Sequence, residues 1–189
     1  MDLNYSALRP LDAVCTASSS FIGRMIRLRT APLVKLNSFK EFGRLQMANH
    51  VGLVVEHSDR LWIAEMLGTG LEINSLRDYV KNTDKDRIVS IRRLHLFENE
   101  SVRESANELL IQWAHKTIPY DWCGVLEFLG LRKDNPNWMY CSELTEIVAN
   151  RYGATWDKWQ LQRNGKKSRI APCEIQYGRT GKDVEGWAA

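Results

Sequence analysis

The sequence predicts an α+β fold, and three stretches carry that prediction: a strand pair over residues 49–67, an amphipathic helix over 101–113, and a helix opening at Cys141. In Asn49-His50-Val51-Gly52-Leu53-Val54-Val55-Glu56, Val51, Leu53 and Val55 share one face, while His50, Gly52 and Val54 share the other. After the polar turn His57-Ser58-Asp59-Arg60 comes Leu61 to Leu67, an apolar run interrupted by Glu65, and the two segments read as a hairpin. Ser101 with Glu104 has capping-box spacing, and Val102, Ala106, Leu109, Leu110 and Trp113 recur at helical intervals as a core-facing stripe. From Cys141, the apolar residues Leu144, Ile147, Val148 and Tyr152 follow the same period, and Gly153 stands where a helix end favours a left-handed residue.

The other elements fall around these three. Ala13 to Thr16 reads as a short strand, and Ser18-Ser19-Ser20 supplies caps for a helix from Phe21 to Leu28 with Arg24, Arg27 and Arg29 on its wet face. Thr30 to Ala48, with Pro32 near its start, reads as a loop leading to a short element. Gly68 and Gly70 suggest a tight turn into a strand holding Leu71 and Ile73. Ser75 with Asp78 then starts a short helix through Tyr79. Lys81 to Asp86 reads as a charged loop and Ile88 to Leu94 as a strand. Pro119 to Trp122 breaks the 101–113 helix, Cys123 to Leu131 reads as an apolar helix, and Arg132 to Asn137 as a polar loop. Past Trp156 and Trp159, the basic run Arg163 to Arg169 reads as a solvated loop. Ile170-Ala171-Pro172 returns the chain to the body, and the residues from Arg179 look loosely ordered.

Composition narrows the function classes. A chain of 189 residues, 44% hydrophobic and with seven Trp, suits one domain over 1–189. Lys and Arg number 26 against 23 Asp and Glu, and a net charge of +3 is too small to argue for nucleic acid or an anionic membrane as partner. The four cysteines, at 15, 123, 141 and 173, form no CxxC pair and have no histidine at zinc-finger spacing, so they read as free thiols, with no metal and no cofactor expected. His50 and His57 lie seven positions apart with a turn near the second, a spacing that need not bring them together on a metal. Met1 to Ala13 lacks an apolar signal-peptide region, and no run approaches the ~18 residues of a membrane span, so no transmembrane segment and a cytoplasmic setting are expected.

Two positions carry chemical interest. A thiol in or just before the first turn of a helix meets unpaired backbone N–H groups and the positive end of the helix dipole, which favour a thiolate and can hold an oxyanion. On this stretch alone, Cys141 reads either as such a nucleophile or as a small buried hydrophobe. Glu65, isolated in an apolar strand, needs a cation or a donor, which His50 on an antiparallel neighbour can supply. The other reading points Glu65 to solvent at a sheet edge, with His50 an ordinary half-buried strand residue.

The order His50-Val51-Gly52 in a strand, Glu65 in the next strand, a helix, Pro119-Tyr120-Asp121, then Tyr140-Cys141-Ser142-Glu143-Leu144 opening a helix resembles the permuted papain-like NlpC/P60 superfamily, and within it the YiiX/YebB-like cysteine amidases. The likeness runs from the Asp12 strand to Pro172. It departs from the family pattern at Ala13-Val14, at Asn49 where Ser is usual, and at Thr145 where Val is common. The resemblance implies a circularly permuted papain-like fold, a small antiparallel sheet packed against helices. It also implies Cys141 as nucleophile, His50 as general base and then acid, and Glu65 as the group orienting His50. The function so implied is a cysteine hydrolase (amidase or peptidase) acting on a peptide, a peptidoglycan stem or an acylated amine. The alternatives are a thiol acyltransferase using lipid-derived acyl groups and a non-catalytic binding module on the same fold.

Overall fold

The computed structural model describes residues 3–20, 23–28, 47–82, 86–121, 139–154, 172–177 and 180–187. The segments expected over Cys123 to Leu131, Arg132 to Asn137 and Arg163 to Arg169 lie outside the described residues, as do Trp156 and Trp159. A six-stranded antiparallel sheet forms the frame: β1 (Ala13–Ser18), β2 (His50–His57), β3 (Arg60–Leu67), β4 (Gly70–Ser75), β5 (Asp86–Leu94) and β6 (Gly181–Asp183), in the spatial order β4-β3-β2-β1-β5-β6. Around it lie α1 (residues 23–28), α2 (Leu76–Asn82), α3 (Glu100–Ala114), α4 (Cys141–Arg151) and α5 (Pro172–Tyr177).

Both faces of the sheet are covered, and the alternation in β2 decides what goes where. Val51, Leu53 and Val55 enter one core with Leu110 of α3 and Leu144 and Val148 of α4. Val54 enters the other core with Ile63 and Leu76 and with Leu3 and Leu8 from the N-terminal segment. Burying each such Leu, Ile or Val is worth about 1.5–3 kcal/mol. Ser58 and Asp59 close the β2–β3 hairpin with both residues left-handed (φ 53° and 57°), the geometry that matches the twist of the paired strands.

Capping largely follows the sequence. Ser20 Oγ accepts from the backbone N–H of Gly23 at 3.0 Å to start α1, and Ser75 Oγ accepts from that of Asp78 at 3.3 Å in α2, which runs on past Tyr79 to Asn82. At α3 the cap is Asn99 rather than Ser101. Asn99 Oδ1 accepts from Val102 N–H at 3.3 Å, and the Ser101 hydroxyl serves only as a second donor to that oxygen. Asn ranks with Ser as a cap, and the extended Asn99 backbone (φ −68°, ψ 119°) sets the boundary two residues early.

The C-terminal segment departs most from expectation. Pro172 opens a helix instead of ending a tie, and the residues after Arg179 add β6 to the sheet edge beside β5. Arg92 bonds Asp183 at 2.8 Å, Asn4 N–H donates to Trp187 O at 2.9 Å, and Val184 is buried in the core under Leu3 and Leu8. Three residues of strand with two charges, Lys182 and Asp183, leave no local pattern, so only the exposed edge of β5 defines this element.

At the other end of β1, Leu11 sits in the left-handed region (φ 68°), a strain of about 1–3 kcal/mol for a non-glycine residue. Its neighbour Asp12 holds the turn. Its carboxylate takes both a 2.7 Å bond from Arg93 Nε and a 2.7 Å bond from Arg93 Nη2, with a third from Arg9 N–H at 2.8 Å.

Candidate active site

β2 begins at His50, and the antiparallel register sets Gly52 opposite Glu65, so His50 and Glu65 share one face as diagonal neighbours. The ring closes that diagonal: His50 Nε2–H donates to Glu65 Oε2 at 2.9 Å. The Glu65 side chain is 5% exposed and that of His50 20%. The buried carboxylate therefore has the donor it needs, and the solvent-facing reading of Glu65 does not hold. Gly52 is part of the arrangement. A Cβ there would lie 2.7 Å from Ile63 Cδ1, so the missing side chain makes room for Ile63 on the strand that carries Glu65.

Cys141 is the first residue of α4. Tyr140 caps the helix in an extended conformation (φ −114°, ψ 175°) without a side-chain cap bond. The chain entering the helix is pinned to the segment after Pro119. Met139 N–H donates to Pro119 O at 3.3 Å and Asp121 N–H to Met139 O at 2.7 Å, a parallel bridge between Tyr120 and Met139. At the far end, Gly153 (φ 83°) allows two closing bonds, Gly153 N–H to Asn150 O and Ala154 N–H to Ala149 O, each 3.1 Å. Thr145 is buried and gives its hydroxyl to Cys141 O at 3.4 Å, the i−4 carbonyl one turn back.

Because α4 lies across β2 and β3, its first turn falls beside the start of β2, and Cys141 shares the cleft with His50, close enough for a thiolate charge to act on the ring. With Nε2 committed to Glu65, Nδ1 is the ring nitrogen left for the sulfur. Burial works against a charged imidazole here. The negative charge of a Cys141 thiolate, its hydrogen bond and the Glu65 carboxylate outweigh burial and push the His50 pKa up to about 10.

The three side chains open on a cleft of about 540 Å³ that Asn49, Tyr120, Ile26 and Tyr79 also line. Burial, then the charges of Cys141 and Asp121, raise the Tyr120 phenol above its ordinary range, so it stays protonated. Cys15 differs from Cys141 despite their closeness. It is fully buried in β1, burial pushes its thiol up to about 12 despite the opposing charge of Arg92, and it does not line the cleft. Cys173 is buried as well, and Cys123 lies outside the described residues.

The sequence-predicted trio is therefore gathered in one place. His57 is not part of it. At the opposite end of β2 it pairs with Arg60, about 23 Å along the strand from His50 at 3.3 Å per residue. Asn49 and Tyr120 were not singled out by sequence as cleft residues. The signals available were Asn49's position beside His50 and the Pro-Tyr-Asp word.

No family model and no curated protein shows a significant match to the sequence. Among solved structures, the chain is similar to the crystal structure of the metalloprotein yiiX from Escherichia coli O157:H7. The TM-score is 0.64 at 13% identity, covering 93% of this chain and 96% of that one. The fold is YiiX-like. At that identity the likeness extends to the fold alone, an α+β arrangement with a six-stranded antiparallel sheet against helices. Among the described residues no helix is long and apolar enough to cross a membrane.

Proposed function

We propose that the chain is a cysteine hydrolase on a permuted papain-like (NlpC/P60) framework, cleaving an amide bond through an acyl-thioenzyme on Cys141. The observation that carries this reading is one cluster on a cleft: a helix-start sulfur close enough to act on His50, whose Nε2 bonds Glu65 at 2.9 Å. In the proposed cycle the thiolate adds to the substrate carbonyl carbon, and the backbone N–H groups at the start of α4 receive the oxyanion. The tetrahedral adduct collapses with cleavage of the C–N bond as His50 delivers its proton to the departing amine. His50 then takes a proton from water, the hydroxide adds to the thioester carbon, and the C–S bond breaks to release the acid. Glu65 holds the ring in the orientation that serves both steps and favours the imidazolium with which the cycle begins and ends.

The structural neighbour is described as a metalloprotein. Among the described residues of this chain, no three His, Cys, Asp or Glu side chains are gathered to hold a metal ion. The experiment that tests the thiol reading is competitive alkylation. Iodoacetamide at pH 6 to 7 is expected to modify Cys141 far faster than Cys15, Cys123 or Cys173, and His50→Ala to slow that reaction. Equal, slow labelling of all four thiols would overturn it.

A further inference from the structure

His50 sits at a weakly supported place. The β2–β3 ladder runs from Gly52↔Glu65 to His57↔Arg60, so the first two residues of β2, His50 and Val51, pair only with β1, as Thr16↔His50 and Cys15↔Val51. A strand end held on one side is where local opening is easiest, yet this residue's ring must stay on both a sulfur and a carboxylate.

What steadies it lies in the two residues before it. Asn49 N–H donates to Thr16 O at 2.9 Å. Its carboxamide then pairs with the backbone of Ser18, Oδ1 accepting from Ser18 N–H at 2.8 Å and Nδ2 donating to Ser18 O at 2.9 Å. A side chain thus takes the place of a peptide unit and extends the β1–β2 ladder past its end. From the opposite direction, Gln176 of α5 accepts the Ala48 N–H on Oε1 at 2.7 Å, across 128 positions of sequence. Asn49 is 2% exposed and Gln176 3%, so water does not compete for these bonds. Gly23 closes the remaining side. A Cβ there would lie 2.6 Å from Asn49 Nδ2, so α1 rests directly on the amide.

We propose that the carboxamides of Asn49 and Gln176 are positioning residues that clamp the 48–49 lead-in and thereby aim the His50 ring at Cys141. The proposal rests on the cysteine–imidazole reading of the site. Neither amide touches the reacting atoms. Each acts through the backbone that carries His50, so its loss displaces the ring by a fraction of an ångström to an ångström, a shift that costs about tenfold to a hundredfold in a reaction that depends on alignment.

The test measures two properties that a merely structural residue leaves unchanged: the rate of Cys141 alkylation by iodoacetamide at pH 7, and the NMR titration midpoint of His50. Asn49→Ala is expected to slow alkylation at least about tenfold and to lower the midpoint from about 10, because the thiolate and imidazolium move apart. Asn49→Asp keeps the size and the acceptor but sets a second oxygen against Ser18 O, and should behave like Asn49→Ala. Gln176→Ala should show a smaller loss of the same kind, and Gln176→Glu, which keeps an acceptor for Ala48 N–H, should recover it. Should Asn49→Ala fail to fold, Gly23→Ala and Gln176→Ala disturb the same lead-in from two other sides. His50→Ala separates the two layers of inference: if it leaves alkylation unchanged, the cysteine–imidazole reading itself falls. If His50→Ala slows alkylation while folded Asn49→Ala and Gln176→Ala lower only the melting temperature, the clamp alone is overturned.

Discussion

Two buried carboxylates, Asp12 and Glu65, each bonded to a basic side chain, do opposite work in this molecule. Asp12 is fully buried and saturated: Arg93 grips it through two nitrogens and Arg9 N–H adds a third donor, all within 2.8 Å. Glu65 is bonded to His50 Nε2 and faces a cleft. Both Asp12 and His50 are held above their ordinary pKa values, for different reasons. At Asp12 burial outweighs the guanidinium, whereas at His50 the thiolate and carboxylate outweigh burial. A saturated carboxylate facing a permanently charged Arg locks a strained turn. A carboxylate facing a titratable ring with a second nitrogen to spare can support proton transfer.

The comparison can be broken at several points. Cys141→Ala is expected to abolish the proposed amide hydrolysis, a loss of about 10⁶-fold where nucleophile and base act as a unit, and to let the His50 midpoint fall from about 10 toward 6.5, read by NMR titration. A midpoint that stays near 10 would remove the sulfur from the pair. Arg93→Ala strands a buried carboxylate and should cost about 3–5 kcal/mol in urea unfolding while leaving Cys141 alkylation of the folded protein unchanged. Glu65→Gln should do the reverse, with a small change in stability and hydrolysis slowed about 10²-fold. If instead it unfolds the protein as Arg93→Ala does, the two carboxylates are alike and the contrast fails. Gly52→Ala presses a methyl on Ile63 and should cost about 1–3 kcal/mol, partly recovered by Ile63→Val, which removes the Cδ1 atom in the way.

A last effect is on pH. A His50 pKa raised from 6.5 to about 10 adds stability that is complete below pH 6.5 and is lost as pH rises toward 10. The gap in unfolding free energy between the protein and His50→Ala is therefore expected to shrink across that window, measured by denaturant titration at each pH. A gap that widens with pH would reverse the sign of the pairing.

Local chemistry explains which parts of this were legible in advance. Period-2 alternation placed Val51, Leu53 and Val55 on one face and His50 on the other, and period-3.6 spacing placed Leu144 and Val148 under α4, because both patterns reflect a buried face. The capping residues of α1 and α2 were readable from one turn of sequence. At α3 the capping-box spacing points to Ser101 while Asn99 is the cap, because two cap-forming residues stand two positions apart and only backbone angles choose between them.

By itself the sequence determined the strand pair and its faces and the helix that opens at Cys141, since each follows from spacing within a few residues, while the grouping of Cys141, His50 and Glu65 was what the family resemblance implied. Tertiary structure alone decided that Nε2 of His50 meets Glu65, that β6 closes the edge of β5, and that Asn49 and Gln176 converge on the lead-in to His50. Those contacts join residues up to 128 positions apart. No local pattern encodes them, because a hydrogen bond between distant residues depends on where the whole sheet and its helices put them.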